Sequence, residues 1–402
     1  NNLGNIFKEL GELQKAMSCY TRVIEINPNY ANAHYNLGIV NTKLGNLHKA
    51  MNCYIKLIEI NPANKKAIRN LSILQRDIKF DIVNEKNRIH FKKIFLFLFR
   101  RNDIDHNDIF NNAKFLLFKG ESHNQVLQIV SSDSLLLLEK PIIHNLLKEE
   151  LFHLMLQKSL IKDQFFEKIL TKLRYQILFN FVDSDKKILN ENFEFIISLA
   201  EQCFFNEYVF IQSKKEIDYL KQLIHLLENN KKINELGIAI LGCYVPLYFS
   251  KKITNQLLNY KSKNILFNDL VIMQIKEPLN EKELMNSIKS FEKISDNTSV
   301  MIRDQYEENP YPRWRYNYPN FPINFLIRLN DQIKPNKINF NNKFNKPNIL
   351  IAGCGTGKHS LIANDYVNAN IFANDLSLSS LAYAKRKTDE LGIKNIQFLH
   401  AD

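Results

Sequence analysis

A sequence repeat with a period of 34 residues opens the chain and constrains its fold more than any other feature. Small residues, a tyrosine and a closing Asn-Pro pair recur at fixed places in each copy. Such a unit fits two packed helices, with small residues at the helix crossing, Gly11 and Gly45 at the turn, and Asn-Pro ending the second helix. The matching stretches are Asn2-Leu3-Gly4 and Asn36-Leu37-Gly38, Lys15-Ala16-Met17 and Lys49-Ala50-Met51, Cys19-Tyr20 and Cys53-Tyr54, and residues 24–28 and 58–62.

This pattern resembles the tetratricopeptide repeat, whose period and Gly, Ala, Tyr and Pro positions it shares. A third copy starts near Ala67 and loses the pattern by about residue 80, so we assign residues 1–83 to the repeats. The first copy lacks its opening residues, and we expect further repeats upstream. The resemblance implies a concave surface that docks a peptide or a partner protein. A spacer, or an intramolecular brace for the adjoining helical region, is the alternative that the sequence leaves open.

Residues 84–300 are predicted to form one large helical region. Apolar residues recur there at three- and four-residue intervals, and prolines are scarce. Residues 193–210 are rich in aromatic side chains, for which a packed helix pair is favoured over a ligand-binding box. The clearest periodic segments are residues 142–156, 164–178, 216–227 and 281–294, and residues 237–249 are predicted to be a buried helix.

The composition changes between residues 301 and 345. Residues 306–314 combine aromatic residues with Pro310 and Pro312 and carry the only tryptophan of the chain, Trp314. We expect no regular helix in this segment, because proline lacks a backbone donor and clashes with the preceding turn. An arm packed on a neighbouring element is favoured over a flap that covers a site. An Asn- and Lys-rich stretch, residues 337–346, comes after the arm.

Residues 346–402 begin with an apolar run that leads into a loop with glycine at every second position, Gly353, Gly355 and Gly357. The loop is not a phosphate-binding P-loop, which requires Ser or Thr after its lysine, because His359 follows Lys358. It is not the dinucleotide fingerprint either, because the third small residue of that motif would fall at Lys358. The first glycine permits a sharp turn out of a strand, and the second lets a ligand approach the backbone.

Acidic residues follow the next two predicted strands. Residues 371–373 form the second strand, with Asp375 at its tip, and residues 396–399 form the third, which leads to Asp402. At the carboxyl ends of parallel strands, Asp375 can accept hydrogen bonds from ribose hydroxyls and Asp402 from an exocyclic adenine amine. The predicted fold class is multidomain: all-α repeats and a helical middle region, followed by part of an α/β Rossmann-like domain.

The glycine loop and both acids resemble the class I S-adenosylmethionine-dependent methyltransferases. Residues 193–210 and 306–314 also resemble a bacterial family that joins tetratricopeptide repeats and a helical region to a methyltransferase domain. No metal is implied. No catalytic residue is named, because the residues that orient the acceptor in this fold commonly follow a fourth strand, beyond Asp402. The resemblance implies S-adenosyl-L-methionine as cofactor, bound by Gly353, Cys354, Gly355, Gly357, Asp375, Leu376, Ala401 and Asp402.

Three further expectations concern this last segment. Cys354 is interpreted as a small residue in a tight turn rather than as a nucleophile, and Lys358 and His359 as solvated. The chain is expected to be truncated at both ends and inactive as it stands. Because the predicted sheet then stops after three strands, we expect the outer edge of the third strand to be unpaired.

The formal charge of +12 does not indicate nucleic-acid binding. The excess is +5 over residues 1–83, +3 over 84–300, +3 over 301–345 and +1 over 346–402, without a cluster that would neutralise adjacent phosphates. The five cysteines show no metal or redox spacing, which fits a reducing cytosol. Because the apolar runs are shorter than the roughly 20 residues that span a bilayer, no membrane association is expected.

The sequence therefore predicts a cytoplasmic methyltransferase whose N-terminal repeats dock a partner or substrate, with the methyl acceptor unspecified. The alternative is a protein-interaction adaptor with a vestigial or incomplete methyltransferase domain. A glycosyltransferase, a class of enzyme that similar repeats precede, is disfavoured because residues 84–345 are predicted to be helical rather than α/β.

Overall fold

The computed structural model describes residues 1–78, 85–118, 121–131, 137–183, 187–230, 232–291, 294–308, 310–333, 335–336, 338 and 346–402. The chain divides into two compact units. Unit 1 contains Asn1–Gln128, Glu149–Ser159 and Tyr316–Tyr318, and unit 2 contains Ile129–Lys148, Leu160–Arg315 and Pro319–Asp402. Because these units group residues by proximity in space, the linear domain boundaries at residues 83, 300 and 345 stay predictions.

Unit 1 begins with the two helix pairs that the repeat predicts. The helices of each pair are joined at Gly11 or Gly45, whose φ angles of +79° and +74° are left-handed, a conformation that glycine adopts without strain. The second helix of each pair ends immediately before an Asn-Pro sequence, as predicted. The helices in this part of the chain are α1 (Asn2–Glu9), α2 (Leu13–Ile26), α3 (Ala31–Lys43), α4 (Leu47–Ile60), α5 (Lys65–Leu74), α6 (Glu85–Arg100), α7 (Phe110–Leu117), α8 (Glu121–Ser131) and α10 (Glu150–Lys158), with a 3₁₀ turn at His106–Asp108.

The helices of each repeat pack at close range because glycine faces tyrosine. A Cβ atom built on Gly4 would lie 2.7 Å from Cε1 of Tyr20, and one built on Gly38 would lie 2.6 Å from Cε1 of Tyr54. Both distances are shorter than a normal carbon–carbon contact, so the tyrosine ring occupies the space that a side chain would need. The prediction that these glycines mark helix crossings is confirmed.

Tyr316–Tyr318 belongs to unit 1 although it is distant in sequence. The hydroxyl of Tyr318 donates a hydrogen bond to the carboxylate of Asp108. The same carboxylate pairs with Arg76, with 2.9 Å between Nη2 and Oδ2. The guanidinium of Arg69 lies 5.6 Å from the centroid of the Tyr318 ring. This part of the predicted arm is therefore packed, as expected.

Unit 2 combines further helices with a small sheet. A π-helical turn at Ile272–Lys276 joins two of the helices, and 3₁₀ turns lie at Leu137–Glu139 and Leu247–Phe249. The helices are α9 (Pro141–Leu147), α11 (Gln164–Asp183), α12 (Lys187–Glu191), α13 (Phe193–Phe205), α14 (Lys214–Asn229), α15 (Glu235–Leu241), α16 (Lys251–Leu258), α17 (Ile265–Val271), α18 (Glu277–Met285), α19 (Asn297–Glu308), α20 (Phe325–Gln332), α21 (Lys358–Ala363) and α22 (Leu378–Glu390).

Residues 237–249, predicted as a buried helix, and two of the segments with helical apolar spacing do not each form one continuous helix. Residues 142–156 form two helices, α9 and α10, and the side chain of Glu149 caps the second by accepting a hydrogen bond from the N–H of Leu151. Within residues 237–249, α15 ends at Leu241 and a 3₁₀ turn follows at Leu247–Phe249. Within residues 281–291, α18 ends at Met285. The apolar spacing continues through these turns, so periodicity alone does not mark the helix ends.

Among the described residues, four parallel strands form a sheet in unit 2: β1 (Lys289–Ser290), β2 (Asn348–Ala352), β3 (Asn370–Asp375) and β4 (Ile396–His400), in the order β1–β4–β3–β2. One face is buried, with Ile371 and Ala373 at 1% and 0% exposure, whereas Phe372 on the other face is 42% exposed. Because β2, β3 and β4 run parallel and in register, their carboxyl ends meet at one edge of the sheet.

The expectation of an unpaired third-strand edge is wrong for the last two residues of β4. β1 pairs with β4, placing Lys289 opposite Leu399 and Ser290 opposite His400, and the N–H of Phe291 donates to the His400 carbonyl at 3.0 Å. A strand of two residues is too short to show the alternation by which strands are recognised in sequence.

The predicted arm is partly helical. α19 includes Tyr306 and ends at Glu308, two residues before Pro310, so the expected irregular chain begins only there. The physical reason is that proline disfavours the helical conformation in the residue before it, not in the residues further upstream. α20 is a second helix in residues 301–345, and most of residues 337–346 lie outside the described residues.

We predict that Gly38→Ala destabilises the chain by about 1–3 kcal/mol, because the added methyl group must displace the ring of Tyr54. The double variant with Tyr54→Leu should recover about 0.5–3 kcal/mol relative to the sum of the single changes, because the clash disappears with the ring. Urea unfolding of all four proteins measures the cycle. Additive single changes would contradict the proposed close packing.

Candidate functional site

The glycine loop leaves β2 in a sharp turn. Gly353 and Gly355 have φ angles of +66° and +51°, in the left-handed region. A Cβ atom on either residue would meet no described atom within 4 Å, so the loop presents bare backbone to open space. The N–H of Cys354 donates to the Asn374 carbonyl at 2.9 Å and ties the loop to the end of β3.

Asp375, the last residue of β3, fixes the loop and the start of the next helix. Its Oδ2 accepts a hydrogen bond from the N–H of Gly355 at 2.7 Å, and its Oδ1 accepts one from the N–H of Ser377 at 3.0 Å. A carboxylate has about four acceptor positions, so Asp375 can hold the loop and still accept hydrogen bonds from a ligand.

A pocket of about 590 Å³, hereafter called the cofactor pocket after its predicted ligand, brings most of the predicted site residues together. Gly357 is not among its lining residues, because it is buried where a Cβ atom would lie 2.6 Å from the Cβ of Ala384 in α22. Gly357 is therefore small because the loop packs against a helix. The binding roles of all eight predicted residues stay predictions. The seven that line the pocket are Gly353, Cys354, Gly355, Asp375, Leu376, Ala401 and Asp402.

The end of β4 is positioned by a histidine that the sequence analysis did not identify. His400 Nε2 lies 2.9 Å from the Leu376 carbonyl oxygen, and His400 Nδ1 lies 3.0 Å from Ser290 Oγ. The N–H of Ala401 donates to the Asp375 carbonyl at 3.2 Å. These bonds set the residues after β4 beside the end of β3. No local pattern marks His400, because its partners are distant in sequence.

Cys354 is a buried residue with 5% exposure. Burial, and secondarily the nearby carboxylate of Asp375, raises the pKa of its thiol to about 12. A thiol that stays protonated at neutral pH is a poor nucleophile. The geometry therefore supports the interpretation of Cys354 as a small residue in a tight turn.

The arm supplies a wall of the cofactor pocket, which is close to the alternative that the sequence analysis ranked second, a flap that covers a site. Tyr306, Tyr311 and Pro312 line the pocket, and the hydroxyl of Thr356 in the loop donates to the Pro312 carbonyl at 2.7 Å. The arm thus contributes to the site as well as packing. Other residues outside the predicted set also line the pocket, so the interpretation of two of them, Lys358 and His359, as merely solvated is incomplete. These residues are Ile302, Ala352, Thr356, Lys358, His359, Asn374 and Ser380.

Glu307 fastens the arm to the amino-terminal end of α22. Its Oε1 accepts a hydrogen bond from the N–H of Leu378 at 2.6 Å, and its Oε2 accepts one from the N–H of Ser379 at 3.0 Å. The hydroxyl of Ser377 donates to the Tyr306 carbonyl at 3.0 Å. N–H groups in the first turn of a helix have no partners within the helix and favour a negative charge, so these contacts hold Tyr306 in place.

Arg313 and Trp314, the two residues that follow Pro312, anchor the arm inside unit 2. The Nε of Arg313 donates to the carboxylate of Glu207, and the guanidinium lies 4.4 Å from the centroid of the Phe204 ring. The side chains of this ion pair are only 6% and 14% exposed. The indole Nε1 of Trp314 donates to the Thr356 carbonyl at 2.9 Å. The arm is therefore bonded both to the end of α13 and to the glycine loop.

Known protein families match three stretches of the chain. A TPR repeat model matches residues 4–45, a tetratricopeptide repeat model matches residues 31–64, and a methyltransferase domain model matches residues 349–402. No curated protein shows a significant match. The chain thus carries tetratricopeptide repeats and a methyltransferase domain, as the sequence analysis predicts.

The described part of the chain holds no metal cluster and no long apolar helix. No three His, Cys, Asp or Glu side chains there are placed to hold a metal ion. No helix in the same residues has both the length and the apolar character that crossing a membrane requires. All five cysteines are free thiols.

We predict that Arg313→Ala destabilises the chain by about 3–5 kcal/mol, because it removes the charge that neutralises the largely buried Glu207. Arg303→Ala is the control, since Arg303 pairs with an aspartate whose side chain is 62% exposed, and it should cost at most about 1 kcal/mol. Chemical denaturation of both variants measures the difference. Equal effects would contradict the anchoring role of the buried pair.

We also predict a pH dependence that arises from Glu201 in α13. Burial raises the pKa of Glu201 to about 7, although Arg315, whose Nη1 lies 3.3 Å from Oε1, opposes the shift. The folded chain then binds the proton of Glu201 more tightly than the unfolded chain does. The resulting contribution to the free energy of unfolding is present below about pH 4.5 and is lost as the pH rises through about 7. One pKa unit corresponds to about 1.4 kcal/mol. Between pH 5 and pH 8, the free energy of unfolding of Glu201→Gln should therefore rise by about 2–4 kcal/mol relative to that of the wild-type chain. Thermal unfolding at both pH values tests this, and parallel profiles would refute it.

Proposed function

We propose that the protein is a class I S-adenosylmethionine-dependent methyltransferase whose tetratricopeptide repeats dock a partner or substrate. The observation that carries this proposal is the cofactor pocket, which gathers the glycine loop and the acidic residues after β3 and β4 within one space of about 590 Å³. The match to a methyltransferase domain over residues 349–402 supports it independently.

The residues of the pocket fit this cofactor. The bare backbone at Gly353 and Gly355 leaves room for a ligand that a Cβ atom would fill. Asp375 offers acceptors for ribose hydroxyls, and Asp402 offers acceptors for an adenine amine. The Oδ1 of Asn374 is buried and has no hydrogen-bond partner among the described residues, so it is a further acceptor in the lining.

The chemistry supplied by the bound cofactor is an electrophilic methyl group on a sulfonium sulfur. The chain's own residues bind and orient. The glycine loop and Asp375 form a preorganised surface, because the loop is already hydrogen-bonded to that carboxylate. Tyr306 and Tyr311 line the same space. No described residue is assigned a catalytic role.

The repeats support the docking part of the proposal, because tetratricopeptide repeats generally present a surface to another polypeptide. In α1 and α3, Lys8 Nζ donates to Asn36 Oδ1 at 3.0 Å, and the Asn36 amide donates to Asn5 at 3.2 Å. These bonds form a polar cluster that joins the first helices of the two repeats. The free thiols support the cytoplasm as the compartment. An adaptor without cofactor binding is the competing function.

We predict that Asp375→Asn weakens binding of S-adenosylhomocysteine by about 1–3 kcal/mol, roughly 5- to 150-fold in Kd, because charge-assisted hydrogen bonds to ribose are lost. Asp389→Asn, at an exposed position of α22, is the matched control and should leave Kd unchanged. Titration calorimetry measures both, with thermal unfolding to confirm that each variant is folded. If the wild-type chain does not bind the ligand, the adaptor replaces the enzyme. Equal binding by Asp375→Asn refutes only the ribose assignment.

A further inference from the structure

A second cavity, of about 740 Å³, lies in unit 2 and has no role in the function proposed above. Tyr306 and Tyr311 line both this cavity and the cofactor pocket, so the same arm forms part of two walls. The rest of the cavity is built from residues at the start of α11 and from the turn after α13. The two cavities therefore adjoin at Tyr306 and Tyr311.

The turn after α13 has a backbone conformation that residues other than glycine rarely adopt. Glu207 and Tyr208 have φ angles of +54° and +56°, in the left-handed region where helices usually end with Gly or Asn. Backbone of this kind persists where the surrounding structure holds it, and it is concentrated at functional sites. Here the turn sets Asn206 and Glu207 into the wall of the second cavity.

Asn206 is a buried carboxamide without partners. Its exposed fraction is 7%, and neither Nδ2 nor Oδ1 forms a hydrogen bond with any described residue. Buried polar side chains nearly always have a partner, so a donor and an acceptor left open together need an explanation. Asn206 lines the second cavity, so a turn of its carboxamide toward a ligand there would give both atoms a partner.

The charges around the second cavity select the kind of ligand. Three carboxylates line it, Asp163, Glu167 and Glu207, against a single cation, Lys162. The ammonium of Lys162 lies 5.0 Å from the centroid of the Tyr311 ring, and Glu207 is paired with Arg313. With Glu207 neutralised by Arg313, the remaining carboxylates and Lys162 leave one net negative charge. The wall therefore offers acceptor oxygens to hydroxyl and amine hydrogens and disfavours phosphate or carboxylate groups.

We propose that the second cavity binds the methyl acceptor, and that this acceptor is a small molecule with several hydroxyl or amine hydrogens and no negative charge. This inference rests on the proposed function. In the transfer, the oxygen or nitrogen of the acceptor bonds to the methyl carbon and its proton passes to solvent. The electron pair of the broken carbon–sulfur bond stays on sulfur.

The first test separates a ligand-binding role of Asn206 from a structural one. Asn206→Ala removes a carboxamide that is buried at a cost, so the variant should melt at the same temperature as the wild-type chain or higher. It should also bind S-adenosylhomocysteine with unchanged Kd. A melting temperature lowered by several degrees would show that Asn206 supports the fold and would overturn the proposal.

The second test uses matched probes that differ in charge. Saturation-transfer NMR on the 402-residue chain compares glucose and glucosamine with glucose 6-phosphate. We expect the two uncharged or cationic sugars to bind at least five-fold more tightly than the phosphate. Asn206→Ala should weaken their binding at least five-fold, whereas Asn255→Ala, at an exposed position of α16, should not.

The outcomes distinguish this inference from the function on which it rests. Preference for the phosphate, absence of binding by both uncharged and cationic sugars, or equal binding by Asn206→Ala each overturns the acceptor site. Sugar binding that depends on Asn206, in a chain that fails to bind S-adenosylhomocysteine, upholds a ligand site here and overturns the methyltransferase.

Discussion

The buried ion pair between Arg313 and Glu207 is the interaction on which the arrangement of unit 2 depends. Each partner belongs to a wall-forming segment: Glu207 lies in the strained turn after α13, and Arg313 comes directly after the arm residues that line both cavities. Burying two charges is costly unless they meet, so each segment holds the other in place. Trp314 then extends the connection to the glycine loop through the Thr356 carbonyl. The cofactor pocket and the second cavity are thus positioned by one short piece of chain.

The features that the sequence predicted well are those encoded locally. The repeat places Gly38 and Tyr54 at fixed offsets, and the loop before Asp375 comes directly after its strand, so each pattern can be read within a few dozen residues. The missed features join distant residues. Ser290 and His400 meet across 110 positions, and Arg313 and Glu207 across 106. Neither pairing leaves a spacing in the sequence that separates its members from ordinary exposed polar residues.

A shared motif can conceal different physical demands. In the glycine loop, Gly353 and Gly355 face open space, whereas Gly357 is pressed against Ala384. The sequence analysis assigned the turn out of the strand to the first glycine and the approach of the ligand to the second, but it placed all three glycines in the predicted cofactor site. In the same way, the aromatic residues of the arm divide their work, because Trp314 is buried against Tyr383 while Tyr311 lines cavities. Residues of the same type therefore have different roles, which depend on the atoms that surround each one.

The small strand β1 has a consequence for how such proteins are assembled in evolution. It comes from the polypeptide before the arm, yet it completes the edge of the sheet beside β4. Ile288, next to it, packs into the same apolar cluster as Ala373 and Leu381. The contacts of the methyltransferase domain therefore extend to residues that precede position 346 in the chain. A domain exchange at that point would separate β4 from β1, and the apolar cluster from Ile288.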